Sequence, residues 1–347
     1  MPTTPSSSAE DPQVRWDAQD PPVRWDAQDP PVRWDADLLG EGFESAVLPL
    51  PGGDRATLIA HREGRAEIGL ADDCVVLYIH GWSDYFFQSH VAQFWADHGA
   101  AFYAVDLRGY GRSIDFDDPE VRPGYIEDLT EYDDELEAAM AIIEAEHPGS
   151  RLILAGHSTG GLIVSLWADR HPGRISALVL NSPWLEFQLS SATRKFITPL
   201  LQWRSRRSAD SPLKVNLPNF YSQSVFQSHG RLPYDIRLKP AESFPVYPAW
   251  LAAVFAGHEA VEQGLSIDVP VLVQMSTMSM RQSTYTEEMS TADIVLNVDL
   301  LAQRAPSLGS EVVIHRIKGA MHDVFLSSRH VQGAAFAGID RFLAGYL

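Results

Sequence analysis

The chain has 347 residues, 45% of them hydrophobic and 21% charged, enough to bury one large core or two modest ones. A formal net charge of -19, from 46 acidic and 27 basic residues, repels phosphate backbones, so no nucleic acid is expected as a partner. The longest apolar runs, such as CVVLYI, fall far short of the ~20 residues a membrane-crossing helix needs, and the single cysteine, Cys74, allows no internal disulfide and reads as inert core.

The first ten residues, MPTTPSSSAE, carry neither a basic region nor an apolar core, so no secretory signal is expected there and the chain is read as cytoplasmic. Asp11 to Asp37 hold three copies of a nine-residue unit, DPQVRWDAQ, DPPVRWDAQ and DPPVRWDAD. Three short proline-rich copies cannot build a stacked repeat fold, so residues 1–42 read as a disordered tail. The alternative is a docking strip in which Trp16, Trp25 and Trp34 bind a partner or fold back on the body.

From Phe43 the pattern becomes regular. FESAVLPL and RATLIAHR predict a hairpin across PGGD, CVVLYIH a buried strand, SHVAQFWADHG a helix closed by glycine, and AAFYAVD another strand. IEDLTEYDDELEAAMAIIEAEH predicts a long amphipathic helix whose acidic first half suits the helix dipole. RLILA then reads as a strand, GLIVSLWADRH as a helix and ISALVLNSP as the next strand. This alternation argues for an α/β fold with a mostly parallel central sheet, helices on both faces, and sites at the carboxyl ends of the strands.

The alternation stops at Pro183 and resumes near Pro270. Trp184 to about Phe244 is rich in prolines, arginines and aromatics without strand periodicity and reads as an inserted cap. Up to Trp250 it carries nine basic residues (Arg194, Lys195, Arg204, Arg206, Arg207, Lys214, Arg231, Arg237, Lys239) against four acidic ones (Glu186, Asp210, Asp235, Glu242), a +5 segment in an acidic protein. AWLAAVFAGHEAVEQG predicts a helix returning to the sheet, VPVLVQMS and EVVIHRI strands, DLLAQRAP a helix, and a last helix starts at Ser327. The boundaries are thus 43–183 and 249–347 for the core and 184–248 for the cap.

In LAGHSTGGL, Ser158 stands between Gly156 and Gly160 where the strand becomes a helix, and small neighbours allow a strained turn that projects the hydroxyl. On this motif, with YIHGWSD and DLRGYGRS, the chain resembles the α/β-hydrolase superfamily, and within it the monoacylglycerol lipase and lysophospholipase group (serine aminopeptidase S33-type), from about Phe43 to the C-terminus. The resemblance implies an α/β-hydrolase fold with Ser158 as nucleophile. It also implies an oxyanion hole made by the backbone amides of Trp82, after His80-Gly81, and Thr159. Among twelve histidines, His322 in KGAMHD matches the position of the base. His80 and the arginines and glycines of DLRGYGRS read as structural, His157 as pointing elsewhere, and His315 as lying inside a strand.

The acid departs from the usual pattern, in which it follows the penultimate strand within a few residues. Ser276 to Thr291 intervene without an aspartate, half of them Ser or Thr, and look like an inserted loop over the site. Asp293 and Asp299 follow, with Glu287 and Glu288 inside the loop. Asp299 precedes LLAQRA and suits an N-cap, whereas Asp293 precedes apolar residues and stands 29 residues before His322, a separation resembling the family's. Asp293 is therefore the expected acid.

The constellation implies acyl transfer to water from a small-molecule acyl ester, with no cofactor or metal; the histidines show no H-x-x-x-H pairing of the kind a metal site uses. Trp184, Phe187, Phe196 and Trp203 could line an acyl slot, or simply pack the core. The basic cap suggests peripheral contact with anionic lipid, although such charge clusters also occur as solvated faces. Two rival functions stand: a serine aminopeptidase or proline iminopeptidase, which needs cap carboxylates for a cationic amine, and a non-catalytic hydrolase-like binding protein.

Overall fold

The computed structural model describes residues 32–187, 197–201, 203–204, 207, 211–215, 218–229 and 233–347. The first two repeat copies with Trp16 and Trp25 lie outside the described residues, as do Phe196 and the cap's Arg194, Lys195, Arg206, Asp210 and Arg231.

Among the described residues nine strands form one sheet: β1 (Asp35–Ala36), β2 (Phe43–Pro49), β3 (Arg55–His61), β4 (Cys74–Ile79), β5 (Ala101–Asp106), β6 (Arg151–His157), β7 (Ala177–Asn181), β8 (Val271–Ser276) and β9 (Val312–Ile317). Their spatial order is β1-β2-β3-β5-β4-β6-β7-β8-β9. The first three strands run antiparallel to their neighbours and everything from β5 to β9 is parallel. Helices with defined bounds among the described residues are α1 (Ser89–Asp97), α2 (Asp133–Glu146), α3 (Thr159–Arg170), α4 (Phe220–His229), α5 (Pro248–Gln263), α6 (Val298–Arg304) and α7 (Arg329–Tyr346). This is the α/β-hydrolase architecture.

CVVLYI reads as an unbroken apolar run because β4 is covered on both faces. Side chains alternate across a strand. Val75, Leu77 and Ile79 therefore join Leu136 of α2, Trp167 of α3 and Val254 of α5 on one face, while Val76 and Tyr78 join Trp95 of α1 and Phe342 of α7 on the other. Cys74 is buried, and desolvation pushes its thiol up to about 11, which leaves it an inert thiol at neutral pH.

Two expectations change. Residues 32–42 are part of the body rather than of a disordered tail. Asp35 and Ala36 pair with Ser45 and Glu44 of β2, and the Trp34 indole donates to Glu146 Oε1 at 3.0 Å beneath the Arg62 guanidinium. Asp37, 7% exposed, accepts both arms of Arg112 at 2.7 and 2.8 Å. Burial opposes its ionisation, but the Arg112 fork holds the carboxyl below the usual carboxylate range. The cap also contains a helix, α4, that strand and proline patterning did not announce.

Candidate active site

The strand β6 ends at His157, and Ser158 adopts φ 53°, ψ −118° before α3 begins. A residue with a β-carbon is strained there, at a cost of about 1–3 kcal/mol, and the surroundings must hold it. They do so by close approach at the flanking glycines. A β-carbon on Gly156 would lie 2.8 Å from Gly160 backbone atoms, and one on Gly160 would lie 2.2 Å from the His80 carbonyl oxygen. Ser158 N donates to Asn181 O at 3.0 Å and Trp184 N to Ser158 O at 2.9 Å, which ties the turn to the end of β7 and the start of the cap segment.

Ser158 Oγ lies 3.0 Å from His322 Nε2, and His322 Nδ1 lies 3.0 Å from Asp293 Oδ2. An ionised carboxylate only accepts, so Nδ1 carries the proton and Nε2 is left to accept the serine hydroxyl. All three side chains are buried, Asp293 completely. The second Asp293 oxygen accepts the amides of Val295 and Leu296 at 2.8 and 2.7 Å, which fixes the carboxylate plane.

Asp293 reaches this place although its strand ends seventeen residues earlier, at Ser276. After β8 the chain makes a parallel bridge between Ser279 and Asp293. Asp293 N donates to Met278 O and Met280 N to Asp293 O, both at 2.9 Å, while Ser279 Oγ donates to Leu296 O and accepts Val298 N. The intervening segment packs on the cap helix α4, with Tyr285 against Phe220, and leaves Glu287 and Glu288 exposed. Asp299 is not the N-cap of α6. That position belongs to Asn297, whose side chain accepts the amides of Asp299 and Leu300, and Asp299 instead pairs on the surface with Arg316.

Sequence reasoning missed a second polar group behind His322. Asp323 is fully buried; its oxygens accept Asn181 Nδ2 at 2.7 Å, Phe325 N at 2.9 Å and Gln88 Nε2 at 2.9 Å. Burial raises its pKa, but His157, Gln88, Asn181 and the Phe325 amide prevail, so the carboxyl titrates below the usual range. Asn181 therefore holds the nucleophile turn through its carbonyl and the His322 loop through its side chain. A polar residue ending the apolar run ALVLN was the available signal. His157 bonds Asn181 O through Nδ1 at 3.0 Å, its ring 4.9 Å from that of His322, and burial lowers its pKa. His80 is structural, with Nε2 accepting Leu107 N, and His315 lies in β9 beside Gln274.

Trp82 follows Gly81, and a β-carbon on Gly81 would lie 3.1 Å from the Ser158 β-carbon, so the Trp82 backbone adjoins the nucleophile. Thr159 opens α3, where the first amides have no carbonyl partner within their own helix. The turn after Trp82 is braced by the cap. Lys239 Nζ meets Asp84 Oδ1 at 2.6 Å in a pair 7% and 3% exposed, Phe244 N donates to Ser83 Oγ at 3.0 Å, and Asp235 N donates to Tyr85 Oη at 2.8 Å. Ser83 itself sits at φ 53°. The cap's positive charge is thus partly compensated: Lys239 is buried against Asp84, and exposed Arg237 pairs with Asp235. The Trp82 indole stacks on Trp250 at 4.9 Å, with Trp184 at 6.0 Å from Trp250 and Phe187 at 5.7 Å from Trp184. Trp203 does not join them; it is exposed beneath Arg207. Among the described residues no group of three His, Cys, Asp or Glu could hold a metal ion, and no helix is long and apolar enough to cross a membrane.

Comparison with known proteins places residues 71–327 in the family described as Hydrolase_4, serine aminopeptidase, S33. A monoacylglycerol lipase of Mycolicibacterium smegmatis is 36% identical over 110 residues, which is 31% of this chain and 37% of that protein, so the match spans little more than a third of the relative's length. Among solved structures, a monoacylglycerol lipase of Paleococcus ferrophilus superposes with a TM-score of 0.58 at 21% identity, covering 81% of this chain and 97% of its own. A thermostable carboxyl esterase of Bacillus coagulans, in complex with glycerol, gives 0.64 at 15% identity, covering 88% and 99%. At these identities the structural likeness carries the fold.

Proposed function

The chain belongs to the Hydrolase_4 family, serine aminopeptidase S33, and from that premise we propose a serine hydrolase that cleaves carboxylic esters, with monoacylglycerols, lysophospholipids or similar acyl esters as its substrates. The observation that carries the reading is the hydrogen-bonded line from Ser158 through His322 to Asp293 on a strained turn. Ser158 Oγ attacks the ester carbonyl as His322 Nε2 takes its proton, and the imidazolium gives that proton to the leaving alcohol. Water, deprotonated by the same nitrogen, then releases the acid from the acyl-enzyme. The amides of Trp82 and Thr159 stabilise the oxyanion in both steps.

Two features favour an apolar acyl ester over an aminoacyl substrate. Trp82, Trp184 and Trp250 form one aromatic cluster beside the nucleophile turn, where Trp184 N donates to Ser158 O, and a cationic α-amino group would need a carboxylate there. Of the described cap carboxylates, Glu186 pairs with Arg304 and Asp235 with Arg237, and Glu242 is exposed. Exposed Arg204, Arg207 and Lys214 beside exposed Leu200, Trp203 and Val215 support the further reading that the cap contacts an anionic lipid surface.

The test is labelling of the folded protein with a fluorophosphonate, with mass spectrometry locating the adduct, alongside turnover of p-nitrophenyl acyl esters, monoacylglycerol and aminoacyl nitroanilides. Adduct at Ser158 with ester turnover, both lost in Ser158→Ala, is the expected result. A folded protein that takes no label would overturn the catalytic reading, and preference for the anilide would reassign the substrate. Binding to anionic vesicles that does not respond to salt or to Arg204→Glu/Lys214→Glu would remove the lipid contact.

A further inference from the structure

The third repeat copy is seated on the body in a manner that its own sequence explains. In Val32-Arg33-Trp34-Asp35-Ala36 the side chains alternate: Val32 and Trp34 pack against the core, whereas Arg33 and Asp35 point to solvent and pair with each other at 3.0 Å. The segment adds an antiparallel strand to the outer edge of β2. The indole is recognised three ways: Arg62 lies over it at 4.3 Å, Tyr103 is 6.3 Å from it, and Glu146 accepts its N–H at 3.0 Å. Backbone pairing supplies general affinity and the tryptophan slot supplies selectivity, the division of labour found in strand-addition peptide sites.

The strand and indole determinants of that seat recur upstream. Val14-Arg15-Trp16-Asp17-Ala18 and Val23-Arg24-Trp25-Asp26-Ala27 are identical pentapeptides. The first difference comes one residue later, where Asp37 is replaced by Gln28 and Gln19. Asp37 is the residue that accepts both arms of buried Arg112, so a glutamine there would leave Arg112 with Asp106.

We propose that the edge of β2 with Arg62, Tyr103 and Glu146 is a binding site for the V-R-W-D-A strand, and that Val23–Ala27 and Val14–Ala18 of the same chain are its alternate occupants. Seating the second copy lengthens the link to Phe43 from six residues to fifteen, and the first copy to twenty-four. Loop closure then disfavours them by about four-fold and about eight-fold. Both remain far more concentrated near the site than any copy on another molecule. The third copy is the resident because its link is shortest and because its register ends on Asp37. The upstream copies hold the edge of β2 covered when the resident leaves, which keeps an edge strand from pairing with another chain.

The full chain tests this with register-specific cysteines. Asp35 faces Ser45 across the strands, and Asp26 is its counterpart in the second copy. In a chain carrying Trp34→Ala, the pair Asp26→Cys with Ser45→Cys should close an intramolecular disulfide under mild oxidation, as Asp35→Cys with Ser45→Cys should in the otherwise unchanged chain. Closure of the control without closure of the test pair would overturn the proposal, and a disulfide-linked dimer would overturn its intramolecular form. Independently, hydrogen exchange of the β2 amides should rise modestly in Trp34→Ala, not at all in Trp16→Ala/Trp25→Ala, and by a further four-fold or more when all three are replaced. Equal exchange in the single and triple variants would sink the idea.

Discussion

Lys239→Met should loosen the protein and slow it together, because one contact joins the cap to the turn that carries Trp82. In the native protein the Asp84 carboxylate has two donors, Lys239 Nζ at 2.6 Å and the Tyr85 amide at 3.0 Å, and is 2% exposed as a residue. Methionine fills the volume of the lysine stem among Phe87, Tyr221 and Tyr234 but leaves the carboxylate with one amide and no counter-charge. Stranding one half of a buried pair costs about 3–5 kcal/mol. With a urea slope of about 3 kcal/mol per molar, the midpoint should fall by about 1–1.7 M. A shift of about 1 Å in the Trp82 amide would lower turnover by roughly a hundred-fold. Equilibrium urea unfolding and ester hydrolysis on the same preparation measure both. Lys239→Met with Asp84→Asn removes the stranded charge and should recover most of the midpoint. An unchanged midpoint and rate in Lys239→Met would refute the bracing role of the pair, and a double variant less stable than the single would refute the stranded-charge argument.

Asp293→Asn should reduce turnover by on the order of 10⁴ by presenting the wrong hydrogen-bonding partner to His322, whereas Asp299→Asn, which loses an exposed pair with Arg316, should leave turnover within two-fold; steady-state kinetics of both variants decide between them. Burial depresses the pKa of His157, so its unfolded form takes a proton near pH 6.5 while the folded form does not. Stability should therefore be complete above that pH and decline as pH falls through and below it, with a shallower slope in His157→Asn, read from urea midpoints between pH 7.5 and 5. The folded Asp323 carboxyl is likewise depressed, so its contribution is present above about pH 3.9 and is lost as pH falls through the lower folded value; Asp323→Asn should remove that part of the acid transition. Deleting residues 1–31 should leave the urea midpoint unchanged, while deleting 1–37 removes Asp37 from Arg112 together with the Trp34 contact and should lower it, Arg112 keeping only Asp106.

How much was legible differs from residue to residue according to how local the cause is. Ser158 could be read because the pattern that marks its turn, an apolar strand, two glycines and a helix start, lies within about ten residues of chain, although His80 and Asn181 complete its packing from far away. His322 followed from its position after the last strand once the α/β-hydrolase resemblance was in hand. Asp293 was legible through its apolar followers, but the reason it faces His322 lies in the bridge from Ser279, which no periodicity announces. The capping role assigned to Asp299 failed because Asn297, two residues earlier, offers the helix a better-placed acceptor.

What the sequence by itself determined was the layered α/β sheet, since period-two and period-3.6 apolar patterns follow from burial on one face or two, and the strained serine turn within it. Only the tertiary structure decided the pairings across long separations: Asp323 with Gln88, 235 residues away, Lys239 with Asp84, 155 away, and Arg112 with Asp37, 75 away. A charge count over the cap counts Lys239 as surface charge, and a composition count over residues 1–42 counts Trp34 and Asp37 as tail, because composition is a sum over residues and carries no direction. Whether a given lysine or aspartate is solvated or spent depends on which distant segment desolvates it, and that is fixed when the sheet, helices and cap close on one another.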